Sequence, residues 1–338
     1  MSSVKHPLRI ALVAVVLAVA AVLVAVSGRD SSVAEAVPAA ASAPVARADV
    51  AAVTAASTPR CFGAASMARK RCHNPALTGR ITPKPRNAHR DQIRTPGKQC
   101  YRPGTSQTTV NRGCTFGTRS ASRPHVILVG DSHGRALLPA FITMAERGHI
   151  SLEAQVRAAC SWTRSGLDHP DKSRVKPCRA YRKNLSRWLV KQAPHTDMIV
   201  TTGYTRQIAG SRSSQIKAMR ATWKPLITRG VRIVALSDNP RLAGDPQRCL
   251  KRHGVKKGTR RCGVSTGTGF ARDPFVLTAK STRGARAINL RSLYCRKGHC
   301  PAIIGGVNVY RDNTHLTRTY AATMAPLLVK RFRAARLI

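Results

Sequence analysis

From residue 125 onward the chain alternates short, unbroken apolar runs with longer amphipathic stretches. His125 to Gly130 (HVILVG) is continuous and β-branched, the pattern of a strand buried on both faces. Further strands are expected at 152–157, 196–202 (TDMIVTT), 231–237 (VRIVALS) and 286–289. Helical spacing predicts helices over about 135–147, 178–192, 213–228 and 316–335. Strands alternating with helices point to a parallel sheet covered on both sides, so the expected fold is a three-layer α/β/α sandwich over 124–338. Chemistry in such sheets gathers at the carboxyl ends of the strands.

The preceding 123 residues are patterned differently. Lys5, His6 and Arg9 lead into an apolar run from Ile10 to Val26 with no Pro or Gly. Its length is at the lower limit for a membrane-spanning helix, and the cationic residues before it place its start in the cytoplasm. Residues 1–27 therefore read as a single-pass anchor with everything after them outside the cytoplasm. A cleaved signal is the alternative, with small-residue sites at Ala34/Ala36 and Ala46/Ala48. Residues 28–60, mostly Ala, Val, Ser and Pro, read as a linker. Residues 61–123 carry four cysteines and little apolar periodicity, and so form a loop-rich lobe that cannot build a core of its own.

Charge narrows the partners. The 338 residues hold 58 Lys and Arg against 14 Asp and Glu, a formal net charge of +44, while 43% are hydrophobic. That apolar fraction supports a real core and argues against wholesale disorder. The charge favours polyanionic surroundings: nucleic acid, anionic lipid or acidic envelope polymer. Export and the absence of a recognition motif count against nucleic acid. Lys256, Lys257, Arg260 and Arg261 form a basic cluster expected on a solvated loop, gripping an anionic polymer being the alternative. No Glu occurs from 154 to 338, so a paired-carboxylate glycosidase is poorly supported. Trp162, Trp188 and Trp223 suit core packing better than sugar stacking.

An exported chain with ten cysteines favours disulfides. The spacings suggest sequential short loops, Cys61 with Cys72, Cys100 with Cys114, Cys160 with Cys178, Cys249 with Cys262 and Cys295 with Cys300, although sequence leaves connectivity open. A zinc alternative would use Cys249, His253 and Cys262, or Cys295, His299 and Cys300. Neither set has the close paired spacing of a structural site.

Two polar segments fall where chemistry is expected. Gly130-Asp131-Ser132-His133-Gly134 joins the first buried strand to its helix. A hydroxyl at such a turn is exposed at the sheet edge beside amides that can face an oxyanion. The plainer reading is that Asp131 or Ser132 caps the helix. Tyr310 to Thr317 (YRDNTHLT) precedes the last helix, and Asp312 and His315, three apart, are spaced to place a carboxylate against an imidazole. Serine needs a base to take its proton, and the base needs an orienting partner. Here the plainer reading is a polar loop in which Asp312 or Thr314 caps the final helix.

Taken together, strand, G-D-S-H, helix, then D-x-x-H-L-T before the last helix resembles the SGNH hydrolase superfamily. More narrowly, it is similar to the SGNH domains found with membrane acyltransferases that O-acetylate bacterial envelope polysaccharides. The likeness extends through Cys61-Phe62-Gly63-Ala64, Cys160-Ser161-Trp162, the Cys249/Cys262 pair, Cys295 to Pro301 and Gly305-Gly306-Val307. It implies a flavodoxin-like sandwich, with Ser132 as nucleophile, His315 as general base and Asp312 as its orienting acid, and no cofactor. The family's oxyanion hole uses the serine amide with a Gly and an Asn from later blocks. No G-x-N-D is present here, which leaves the amides of Ser132, Ser161 and Gly203 as candidates. A missing donor costs about 3 kcal/mol of transition-state stabilisation.

With one apolar run, this sequence cannot itself carry acyl groups across a membrane. The expected function is therefore an extracytoplasmic serine esterase or O-acetyltransferase acting on envelope polysaccharide or another acylated glycan. In the transferase case a separate membrane acyltransferase is the expected donor. The alternative is a non-catalytic polyanion- or glycan-binding envelope protein on the same fold.

Overall fold

The computed structural model describes residues 58–68, 72–95, 98, 100 and 106–338. The expected anchor, and residues 28–57 of the expected linker, lie outside them. Among the described residues no helix is long and apolar enough to cross a membrane.

Six strands form the central sheet: β1 (Thr115–Phe116), β2 (His125–Gly130), β3 (Ser151–Val156), β4 (Met198–Thr202), β5 (Arg232–Leu236) and β6 (Ala285–Ile288). Their order is β1-β3-β2-β4-β5-β6. β1 runs antiparallel on the edge and the other five are parallel. The parallel strands have the flavodoxin-like order, whose direction of winding reverses between β2 and β4. Strand alternation divides the core into two layers. Val126 and Leu128 of β2 pack with α1 (Ser132–Glu146) and with the C-terminal helices, here called α6 (Arg318–Thr323) and α7 (Ala325–Ala334). Ile127 and Val129 pack on the opposite face with α2 (Val175–Gln192), α3 (Arg212–Ile227) and α5 (Pro274–Lys280). The fold is a three-layer α/β/α sandwich.

Three local expectations change. The predicted helix over 316–335 breaks at Met324 into α6 and α7, because Pro326 has no N–H with which to continue the first segment. The basic cluster expected on a loop lies instead on α4 (Pro246–Arg261), capped by Asp245 through the Gln247 amide at 2.8 Å. A kink at Gly254, where φ is +66°, interrupts that helix; glycine takes this backbone state at no steric cost. Lys256, Lys257, Arg260 and Arg261 are all exposed. Finally, neither Asp312 nor Thr314 caps the last helices: Thr317 does, accepting from the Tyr320 amide at 3.1 Å.

Five disulfides join Cys61–Cys72, Cys100–Cys114, Cys160–Cys178, Cys249–Cys262 and Cys295–Cys300. The sulfurs of both zinc alternatives are thereby bonded to each other. Trp162 and Trp223 are buried in the α2–α3 layer, with Trp188 half-buried against it.

The N-terminal segments are fastened to the sheet by hydrogen bonds. Asn111 and Gln155 of β3 exchange two bonds of 2.9 Å, from the Asn111 amide to Gln155 Oε1 and from Gln155 Nε2 to the Asn111 carbonyl. The Thr82 amide donates to Gly306, and the Asn308 amide donates to Thr82, each at 2.9 Å. This places residues 82–95 along the loop that carries Asp312 and His315.

Candidate active site

Ser132 is the first residue of α1, immediately beyond the carboxyl end of β2 and therefore at the reversal of strand order. The turn is tight because Gly130 permits it. A Cβ there would lie 2.6 Å from the Thr202 carbonyl oxygen and 3.1 Å from Gly134 Cα. The first amides of a helix have no intrahelical acceptor, so the Ser132 N–H faces outward at the positive end of α1.

Asp131 fixes this turn. It caps α1 through Oδ1, which accepts from the His133 amide at 2.9 Å. Its Oδ2 accepts from Ser161 Oγ at 2.5 Å and from the Tyr204 amide at 2.7 Å. A Cβ on Gly203 would fall 2.9 Å from Ser161 Oγ and 3.0 Å from Asp131 Oδ2. The three strand ends thus converge on the Asp131 carboxylate. The Ser161 hydroxyl proton is spent there, which leaves only that residue's amide for an oxyanion.

The second half of the site is a loop closed on its own carboxylate. Asp312 Oδ1 accepts from the Thr314 amide at 2.9 Å and the His315 amide at 2.8 Å. Both carboxylate oxygens lie 2.9 Å from His315 Nδ1. Burial pushes Asp312 toward its neutral form, but the bonds from His315 and the Thr314 amide outweigh it and hold the carboxyl well below the usual range. For His315, burial is the largest influence and lowers its basicity. Asp312 opposes that, the charge on His133 adds to it, and the net direction is down. The neutral imidazole therefore persists to lower pH than in an ordinary histidine. His315 Nε2 is buried and has no hydrogen-bond partner, so its bond to Ser132 is not closed in this state, as is common before substrate is bound.

Ser132 opens into a shallow depression that it shares with Arg135, Arg311 and Leu316, bringing the serine helix and the Asp312–His315 loop to one edge of the sheet. Gln92 bridges the two, its Oε1 accepting from Arg135 at 3.4 Å and from Arg311 at 3.1 Å.

Three further residues, His133, Asp238 and Asn239, tie these halves together. Asp238, just beyond the end of β5, lies 2.5 Å from His133 Nδ1, and both side chains are buried. Burial alone would lower the basicity of His133, but Asp238 outweighs it and the net direction is up, so the ring holds its proton to higher pH than an ordinary histidine. That ring stacks on Tyr204 at 4.8 Å and lies 5.0 Å from the His315 ring. Next to it, Asn239 Nδ2 donates to the Thr314 carbonyl at 2.7 Å. Asp238 also accepts from the Asn239 amide at 2.8 Å, so one carboxylate steadies both the His133 ring and the hook on the loop that carries Asp312 and His315. None of the three stood out in the sequence beyond His133 falling within G-D-S-H-G; the only signal for Asp238 and Asn239 was their place just past a predicted strand.

Asp238→Asn is expected to reduce turnover between about 10- and 100-fold through misplacement of the loop. The acid limb of the pH–rate profile should also move to higher pH. With Asp238 neutral, buried His133 loses its proton, and the positive charge that lowers His315 disappears. A pH–rate profile of the variant checks the sign, and an unmoved limb would remove His133 from the account.

The fold resembles the periplasmic domain of a Salmonella ser. Paratyphi A lipopolysaccharide acetyltransferase, with 13% identity, a TM-score of 0.52, and coverage of 75% of this chain and 94% of that one. Weaker likenesses are to a GDSL-like lipase from Bacteroides thetaiotaomicron (9% identity, TM-score 0.36, 65% and 93% coverage) and to the catalytic domain of peptidoglycan O-acetyltransferase A from Streptococcus pneumoniae (8%, 0.30, 63% and 95%). No curated protein matches the sequence significantly. Residues 99–330 match the sequence model of the SGNH domain described as fused to AT3 domains, and with that share of its length matched the chain belongs to this SGNH family.

Proposed function

We propose that the protein transfers a small acyl group to or from hydroxyls of an envelope polysaccharide through an acyl-Ser132 intermediate. The observation that carries this is the His315 ring, held at Nδ1 by Asp312 and unpartnered at Nε2, at the sheet edge where Ser132 opens. Family membership supports acyl-transfer or ester-hydrolysis chemistry in general, and the named acetyltransferases support a glycan acceptor. Export, expected from the sequence, would set the reaction outside the cytoplasm.

In the first half-reaction Ser132 Oγ attacks the acyl carbon while His315 Nε2 takes the hydroxyl proton. The carbonyl oxygen becomes an oxyanion beside the Ser132 amide, with the amides of Gly203 and Ser161 as the further donors. Collapse breaks the bond to the leaving alcohol, which receives the proton from His315. In the second half-reaction a sugar hydroxyl or water gives its proton to His315 and attacks the acyl carbon, and Ser132 regains its proton. A separate membrane acyltransferase would be the donor for transfer; in hydrolysis the acetylated glycan is itself the donor.

The net charge of +44 favours a second reading, non-catalytic polyanion binding. Labelling with a fluorophosphonate probe, read by intact mass and peptide mapping, separates the two. A single adduct on Ser132 is expected. An unlabelled, correctly oxidised protein would favour the binding protein instead.

A further inference from the structure

A cavity of about 630 Å³ lies between the segment that follows Cys160 and the outer face of α2. Its two walls are cross-linked by the buried Cys160–Cys178 disulfide. Arg179, Arg182, Lys183 and Arg187 of α2 line one side at spacings of three and four, which puts them on one helical face. Arg164 and Trp162 line the other side. Among the described residues no carboxylate lines the cavity. The nearby Asp168 and Asp171 pair instead with Lys172 and Arg174.

The buried donors here are under-used. Arg182 gives one bond, from Nη1 to the Ser165 carbonyl at 2.5 Å, while its Nε and Nη2 are buried without partners. Trp162 is 2% exposed, and its Nε1 is likewise buried and unpartnered. Buried donors left without acceptors are costly, and a guanidinium more so than a neutral group. Five cations line the cavity and no acidic residue faces them, so the wall lacks only acceptor oxygens carrying negative charge. Guanidinium groups match carboxylate and phosphate oxygens in geometry as well as charge.

We infer that this cavity is a binding site for an anionic sugar unit, one bearing a carboxylate or a phosphate, and that the polymer acted on is therefore an acidic glycan. The inference rests on the glycan-directed reading given above and specifies its substrate class. The two sites share a structural element, since Ser161, which bonds Asp131 beneath the nucleophile, directly precedes Trp162. A polymer held by its charged unit in the cavity is thus gripped by the segment that also supports the Ser132 turn.

The test is calorimetric titration of the full-length protein, at physiological ionic strength, with glucose 6-phosphate, glucuronate and glucose. Three proteins are compared: wild type, the triple variant Arg179→Gln/Lys183→Gln/Arg187→Gln, and the triple variant Lys256→Gln/Lys257→Gln/Arg260→Gln. All six positions are exposed, so both variants should fold, and each removes the same charge. At least one of the two anionic sugars should bind the wild type and glucose should not. The cavity variant should lose at least about tenfold in affinity, and the α4 variant should stay near wild type. The arm that binds identifies phosphate or carboxylate. Equal losses in both variants would show diffuse attraction to a polycation and overturn the site, as would no binding of either anion. Fluorophosphonate labelling of Ser132 is measured on the same proteins. A failed cavity leaves that adduct intact, whereas a failed acyl-transfer reading shows as no adduct in the wild type, whatever the cavity binds.

Discussion

Ser132→Ala is expected to lower ester turnover by about 10⁴-fold or more while leaving the protein folded. The reasoning starts at the turn. Ser132 contributes no cap bond to α1, because Asp131 carries that role, and helix propensity favours alanine over serine in the half-buried first turn. Deleting the hydroxyl therefore costs little stability. It removes the only atom that forms the covalent bond in the proposed mechanism, and water attacking directly would have to replace an oriented nucleophile. Steady-state hydrolysis of an acetyl ester, with the thermal midpoint measured alongside, gives the result. Near wild-type turnover in the variant would end the acyl-serine mechanism.

The architecture was largely legible because β2, β4 and nearly all of β5 are buried and appear as apolar runs, with β3 and β6 falling at the spacing that alternating strands and helices require. Each was expected within about two residues of its observed span. What escaped were elements without such a signature. β1 has two residues, too few for any alternation. α4 hides behind its composition: its Lys and Arg are solvated, and Cys249 within it and Cys262 just after it suggested a closed loop. The helix start was nonetheless written as Asp245-Pro246, a cap followed by proline at the first position.

At the site, the turn after β2 and the loop before α6 could be picked out because each pairs reactive residue types with a place at the sheet edge. The links between them could not. His133 meets Asp238 across 105 residues, and Asn239 reaches Thr314 across 75. Such contacts depend on how strand ends converge, and no local spacing encodes that. Asp131 shows the same limit from the other side. Its capping role was foreseeable from position, but its bonds to Ser161 and the Tyr204 amide arise only once β3 and β4 flank β2.

Asp312→Asn is the sharper probe of the base, with an expected rate loss of about 10⁴-fold. The substitution is nearly isosteric, and its Oδ1 can still accept the Thr314 and His315 amides, so the loop should keep its shape. The change is in the proton. A carboxylate facing Nδ1 requires Nδ1 to carry hydrogen, which leaves Nε2 as the free base. An amide NH₂ facing the same nitrogen favours the opposite tautomer, with Nε2 protonated and unable to accept from Ser132. The pH dependence provides a second, independent sign. Asp312 is the main group that raises the basicity of His315 against burial and the charge of His133. Without the carboxylate that basicity falls further, so the acid limb of the residual activity should move to lower pH. Asp238→Asn should move the same limb upward. Profiles of the two variants measured side by side must therefore diverge about the wild type. A shift in the same direction for both would mean that the charge on His133 does not act on His315.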